Sequence, residues 1–221
     1  MDWKIVVAAP LVAWLVVANA AALKMPRNWG SDVHAPTDRS YLLGIDPEVN
    51  FNGKPALAVR SMQHVSELDF AAATRYLDAF GYEGHRVRFS GMLKTSDAGT
   101  WAGVFLAPYN GVADRDWMFT TVQSLPHASA PTVGTSDWHP VSVVIAVPDT
   151  RNASISMGLA VVGNGQAWVS DLKFEEVGDD VPLTETRLGI DVDKLAQQRA
   201  QSDAQRGSAR QKVVPDLDLK S

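Results

Sequence analysis

The chain contains no cysteine, which excludes disulfides, thiolate nucleophiles and cysteine-ligated metals in one step. Basic clusters are missing too. The net charge is −5, and no stretch gathers the lysines and arginines that a phosphate backbone requires, so nucleic acid is not an expected partner. His34, His64, His85, His127 and His139 are scattered without H-x-H or H-E-x-x-H spacing, so no histidine metal site is expected. Helical periodicity is scarce. A chain without cross-links must hold by its core, and 46% hydrophobic residues in a domain of ordinary size suffice for that.

What is present begins with an export segment. Met1-Asp2-Trp3-Lys4 forms a short charged start, and residues 5–18 run without a charge, interrupted only by Pro10. The run ends in Ala18-Asn19-Ala20-Ala21-Ala22, where small residues at Ala18 and Ala20 fit signal peptidase, with cleavage after Ala20 or, second, after Ala22. The alternative is an uncleaved apolar helix. A spanning helix needs about 20 apolar residues, and extension through Leu23 nearly reaches that length. The expected location is therefore periplasmic or secreted, or else membrane-anchored through residues 1–23, with no other membrane contact.

Residues 23–40 hold Pro26, Gly30 and Pro36 and read as an irregular lead-in. Short apolar runs then alternate with turn signals: 41–45, 56–61, 87–93, 101–106, 117–122, 141–147, 155–162 and 167–177. Val87, Phe89, Gly91 and Leu93 alternate with Arg86, Arg88, Ser90 and Lys94. Ile155, Met157, Leu159 and Val161 alternate with small or polar neighbours, as do Trp168, Leu172 and Phe174. Period two places one face of each strand on a core. Many short strands with Gly and Pro turns imply an all-β sandwich of two antiparallel sheets over 41–178. Alanine content alone would make 67–80 a short helix. Residues 179–221 are polar with little to bury, and read as a tail that is partly disordered or helical.

Several motifs occur in order. They are Gly44-Ile45-Asp46 with Asn52-Gly53-Lys54-Pro55-Ala56, then Tyr82-Glu83-Gly84-His85-Arg86-Val87-Arg88-Phe89-Ser90-Gly91. Trp101-Ala102-Gly103, Thr135-Ser136-Asp137-Trp138 and Gly165-Gln166-Ala167-Trp168-Val169-Ser170-Asp171-Leu172-Lys173-Phe174 follow. Together, over residues 44–177, they resemble the galactose-binding-like jelly-roll domains shared by many carbohydrate-binding modules. Within that group the chain is most similar to a version sometimes fused behind the DNA-binding domain of bacterial transcriptional regulators. The resemblance implies a jelly-roll β-sandwich, a strand over 70–77 despite its alanines, and packing roles for Trp138 and Trp168. It departs within Phe119-Thr120-Thr121-Val122-Gln123, where Thr120 and Thr121 replace a carboxylate and an amide of the regulator-linked version and only Phe119 and Gln123 match. No DNA-binding segment precedes the jelly roll in this sequence, and a regulatory role is not carried over.

Sugars bind by stacking C–H faces on aromatic rings while a few polar groups fix the hydroxyls. Trp101, Tyr109, Trp117, Phe119 and Gln123 are the candidate ligand-binding residues, although aromatics at period two also serve as core. Asp114 and Asp116 flank Trp117, but a glycosidase needs two carboxylates set across a substrate, and no catalytic residue is assigned. Jelly-roll modules of the resembling group often hold a structural calcium through a final-strand aspartate, which makes Asp171 the candidate ligand. No other cofactor is expected. The leading expectation is an exported, non-catalytic module for a glycan, a small polar ligand or a cell-envelope partner. The alternatives are a jelly-roll glycoside hydrolase or polysaccharide lyase, and an envelope-tethered assembly protein. Mass spectrometry of the protein recovered from the exported fraction should find Ala21 as the first residue; an intact Met1 would establish the anchored form instead.

Overall fold

The computed structural model describes residues 23–62, 65–109, 127–150 and 153–185. Within them lie eight strands and no helix: β1 (Trp29–His34), β2 (Tyr41–Phe51), β3 (Lys54–Ser61), β4 (Phe70–Asp78), β5 (Arg86–Tyr109), β6 (Thr132–Ala146), β7 (Ser154–Val162) and β8 (Gln166–Val177). The apolar start, the strand expected over 117–122 and the tail beyond 185 fall outside the described residues. Among the described residues no helix is long and apolar enough to cross a membrane.

All pairings are antiparallel, in the order β1-β4-β7-β5-β8-β3-β2, with β6 also on β5. The 24-residue β5 organises the rest. Its first half pairs with β8 and β6, and its second half with β7. The sheet thus curls about β5, and its two halves close on one core. Val87, Phe89 and Leu93 enter that core from the first half of β5, and Ala102, Val104 and Leu106 from the second. The inward positions change from odd to even numbers between Leu93 and Ala98. Asp97, with φ 52°, lies at that change, where the β5–β6 register slips. One irregular residue re-aims the alternation, as a β-bulge does. The Asp97-Ala98-Gly99 signal therefore marks a bulge inside a single strand, where the sequence suggested a turn between two.

Local chemistry explains the other elements. Asn52 (φ 50°) and Gly53 (φ 78°) make the two-residue turn of the β2–β3 hairpin. Asn-Gly suits it because both central residues need positive φ. The alanine-rich segment is strand β4, hydrogen-bonded by β1 on one edge and β7 on the other. Ala71 and Ala73 fill the main core, while Phe70 and Ala72 fill a second cluster on the opposite face. Pairing on both edges outweighs the helical preference of alanine.

Two boundaries differ from the sequence reading. The lead-in is not irregular throughout: β1 forms between Pro26 and Pro36 because it completes the open edge of β4, from Trp29 opposite Arg75 to His34 opposite Phe70. The ordered domain also passes 178. Arg86 Nη1 donates to the Asp179 carbonyl at 2.7 Å, and Thr184 N–H donates to the Val144 carbonyl at 2.9 Å, so 179–185 lines the edge of β6.

Tyr41 ties the loops together. Its buried hydroxyl lies 3.0 Å from the carbonyl of Asp69 and 2.9 Å from that of Gly163, joining the start of β2 to the loops before β4 and after β7. Burial, then the Asp69 charge, holds this phenol well above its ordinary range. Tyr41→Phe removes the one hydroxyl proton that the two carbonyls share and leaves the buried Gly163 carbonyl without it, and urea unfolding should show a loss of about 1–3 kcal/mol.

Candidate functional site

The outer face of the second half of the sheet carries the sequence-predicted aromatic residue Trp101, and it is closed. Trp101 and Phe105 are fully buried with Phe70, Ala72, Ala128, Ala160 and Val162. Residues 127–129 extend the pairing with β5, through Leu106 N–H to the His127 carbonyl and Ser129 N–H to the Val104 carbonyl, each 2.9 Å. A ring with no exposed face cannot stack on a sugar, so the assignment of Trp101 as a ligand-stacking residue is corrected to core. Tyr109 ends β5, with its side chain outside the described residues; Trp117, Phe119 and Gln123 also lie outside them.

The same face holds a small polar group. Thr74 Oγ1 donates to Asp32 Oδ2 at 2.7 Å. Burial, with a contribution from the Asp32 charge, pushes the Tyr76 phenol up to about 12. Ser156 lies opposite Tyr76 in the β4–β7 register, and its buried hydroxyl has no hydrogen-bond partner among the described residues; the same holds for Trp101 Nε1. Thr74, Ser156 and Trp101 are closed in with the apolar cluster, whereas Tyr76 lies at its exposed margin.

The outer face of the first half is open. A groove of about 430 Å³ runs across β6, β5 and β8, lined by Arg88, Ser90, Met92, Pro140, Ser142 and Lys173, with Gly91, Val141 and Asp171 completing it. Ser90 lies opposite Ser142 on one side and Lys173 on the other, and Met92 lies opposite Pro140. Two steps along β5, Ser90 to Met92, face three along β8, Lys173 to Ser170. Asp171 is at this bulge, with φ 52°. The bulged strand comes so close that a Cβ on Gly91 would sit 2.9 Å from Leu172 Cδ2 and 3.0 Å from the Ser170 carbonyl. Glycine avoids that crowding.

Charges around the groove are mostly paired. Asp171 binds the Lys54 ammonium, and that hydrogen bond, more than any other influence, holds its carboxyl below the ordinary range. Arg88 donates from Nε at 3.1 Å and Nη2 at 2.9 Å to one oxygen of Glu175. Lys94 Nζ lies 3.3 Å from Asp137. Lys173 has no ion-pair partner among the described residues, and the Ser90 and Ser142 hydroxyls have no hydrogen-bond partner there. Beyond Pro140, Trp138 tilts at 55° and 5.4 Å to Phe51 and packs against Trp168, Ala56 and Ala58. Trp168 Nε1 donates in turn to buried Asp46 at 2.8 Å. Both tryptophans therefore pack, as the resemblance implied.

Calcium does not fit the surroundings of Asp171. Calcium takes six to eight oxygens, whereas Asp171 faces the ammonium groups of Lys54 and Lys173. Among the described residues no three of His, Asp or Glu converge on a metal position.

No protein-family model matches the chain. It is 30% identical over 148 residues to an uncharacterized HTH-type transcriptional regulator, YbfP, of Bacillus subtilis (strain 168), covering 67% of this chain and 48% of the regulator. The chain thus spans about half the length of that relative, in keeping with the resemblance to regulator-linked domains. Among solved structures, the CBM22-1 xylan-binding domain of Paenibacillus barcinonensis Xyn10C superposes with a TM-score of 0.46 at 11% identity, covering 71% of this chain and 90% of that one. The enzymatically active domain of bacteriophage CBA120 tailspike protein 4 gives 0.45 at 12% identity, covering 68% of this chain and 20% of that one. At TM-scores below 0.5 neither likeness carries an argument about ligand or mechanism.

The Lys54–Asp171 pair gives a pH prediction. Asp171 is depressed in the folded state, so its contribution to stability is present above the unfolded carboxyl value near 4 and is lost as pH falls through the lower folded value. Lys54→Met should return the Asp171 carboxyl toward the ordinary range in a carbon-detected NMR titration. An unchanged titration would show that the ammonium is not its cause.

Proposed function

We propose that the chain is an exported, non-catalytic binding module on a jelly-roll β-sandwich, and that it holds a glycan in the groove across β6, β5 and β8. The observation carrying this reading is the cross-strand pair Ser90 and Ser142: two neighbouring hydroxyls on an open groove, without hydrogen-bond partners among the described residues. Beside them Met92 and Pro140 form an apolar pair. A pyranose presents this combination in reverse, hydroxyls along its rim and C–H groups on its faces. The hydroxyls exchange donors and acceptors with the serines, and the C–H face lies against Met92 and Pro140.

Export rests on the apolar run of residues 5–18 and the small residues that end it. The groove offers cations and hydroxyls, with its carboxylates already bound to cations, so binding without bond cleavage is the simplest chemistry it supports. A cell-envelope protein is the other partner this surface would serve, and a smaller polar molecule would use the same hydroxyls.

Calorimetry of the full chain against a panel of oligosaccharides tests the proposal. At least one should bind, and the Ser90→Ala, Ser142→Ala double variant should weaken it about tenfold while melting like the parent, since each hydrogen bond contributes about 0.5–1.5 kcal/mol. Binding that survives the double variant unchanged would place the ligand elsewhere, and silence across the panel would end the glycan reading.

A further inference from the structure

The balance of charge around the groove points to one class of ligand. Lys54 is bound to Asp171, Arg88 to Glu175 and Lys94 to Asp137. Among the described residues Lys173, on the groove lining, has no ion-pair partner, its charge reaching only the Asp171 carboxylate that Lys54 already holds, and Arg88 directs only Nε and Nη2 to its carboxylate partner. Arg88 lies opposite Glu175, and Ser90 opposite Lys173, so Arg88 and Lys173 are diagonal neighbours on adjacent strands, about 7 Å apart at the backbone. Both side chains reach the same groove. In a chain of net charge −5, a ligand-sized groove with a surplus cation is a local reversal of sign.

We infer that the groove takes a saccharide bearing a carboxylate, a hexuronate, with that carboxylate between Lys173 and the unused Nη1 of Arg88. The inference rests on the glycan reading above and narrows it. One surplus cation matches one carboxylate. A phosphodiester backbone would call for a run of them, and Glu175 beside Arg88 would repel a more densely charged anion. The serines lie directly beside the cations: Ser90 is opposite Lys173 and Ser142 is one strand further. A ring that places its carboxylate on Lys173 therefore brings its hydroxyls over Ser90 and Ser142. A free carboxylic acid would leave those two hydroxyls unused.

The experiment compares an aldotriouronic acid, a trisaccharide with a single uronate carboxylate, with its carboxyl-reduced neutral counterpart, by calorimetry on the full chain. The acidic trisaccharide should bind about tenfold more tightly, as a charge-assisted contact provides. Lys173→Met, at an exposed position, should remove most of that advantage without lowering the melting temperature, and raising the salt concentration should narrow it. Equal affinity for the two trisaccharides would overturn the inference and leave the glycan reading intact, as would an acidic preference that Lys173→Met does not change. Failure of both to bind overturns the inference, and when the wider panel also fails the glycan reading falls with it.

Discussion

The fold depends on a single strand changing sides. β5 is the one strand in the described structure that pairs in both halves of the sheet. It can feed one core from both halves only if its inward positions shift by one residue midway. Asp97 provides the shift with a left-handed φ of 52°. Without it, the face that places Val87, Phe89 and Leu93 inside would carry Trp101 and Phe105 inward too, and would turn Ala102, Val104 and Leu106 outward. A one-residue slip moves a whole hydrophobic set to the other face. Hydrogen bonds hold the kink in place: Asp97 N–H donates to Thr135 Oγ1 at 3.0 Å, and Gly99 N–H to the Asn164 carbonyl at 2.7 Å.

That shift also determines which outer face can serve a ligand. In the second half of β5 the outward residues are Trp101 and Phe105, and they build a second apolar cluster with Phe70 and Val162. In the first half they are Arg88, Ser90 and Met92, and the face stays open. The second bulge, at Asp171, sharpens the difference. It inserts one residue into β8 opposite a glycine, so that Asp171 and Lys173 both line the groove while Leu172 and Phe174 pack on the core. Two irregular aspartates thus do the main geometric work: Asp97 aims the core and Asp171 builds one wall of the groove.

Much of the fold was legible because its elements obey local rules. The Asn52-Gly53 turn follows from the need for two positive φ angles, and alternation marked 87–93 and 155–161 as one-sided strands. Other elements are decided by pairing that lies far away in sequence. β4 is a strand because β1 and β7 bond both its edges, although its alanines favour a helix; only the resemblance implied it. β1 was hidden by its flanking prolines, and the continuity of β5 by a turn-like Asp-Ala-Gly. The candidate site was less legible for the same reason. Aromatic residues attract attention in a sequence, but Trp101 proved to be core. The groove is made of ordinary outward strand residues, and Ser90, Ser142 and Lys173 become one surface only through the registers of β6, β5 and β8.

The closed and open faces also differ in what binding would cost. On the closed face, Trp101 Nε1 and the Ser156 hydroxyl are buried without partners among the described residues, a penalty of about 1–3 kcal/mol each in such surroundings. A ligand could satisfy them only after the packing of Phe70, Trp101 and Phe105 had opened, and that exposes apolar area at about 25 cal/mol per Å². For rings of this size the exposure cancels what two hydrogen bonds return. On the open face no such term arises: the Ser90 and Ser142 hydroxyls and the Lys173 ammonium already meet water, and a ligand need only replace that water group for group. Of these two faces, the groove is therefore the one where a hydroxyl-rich ligand would bind at the lower cost to the fold, even though Trp101, an aromatic residue that first suggests sugar binding, lies on the other.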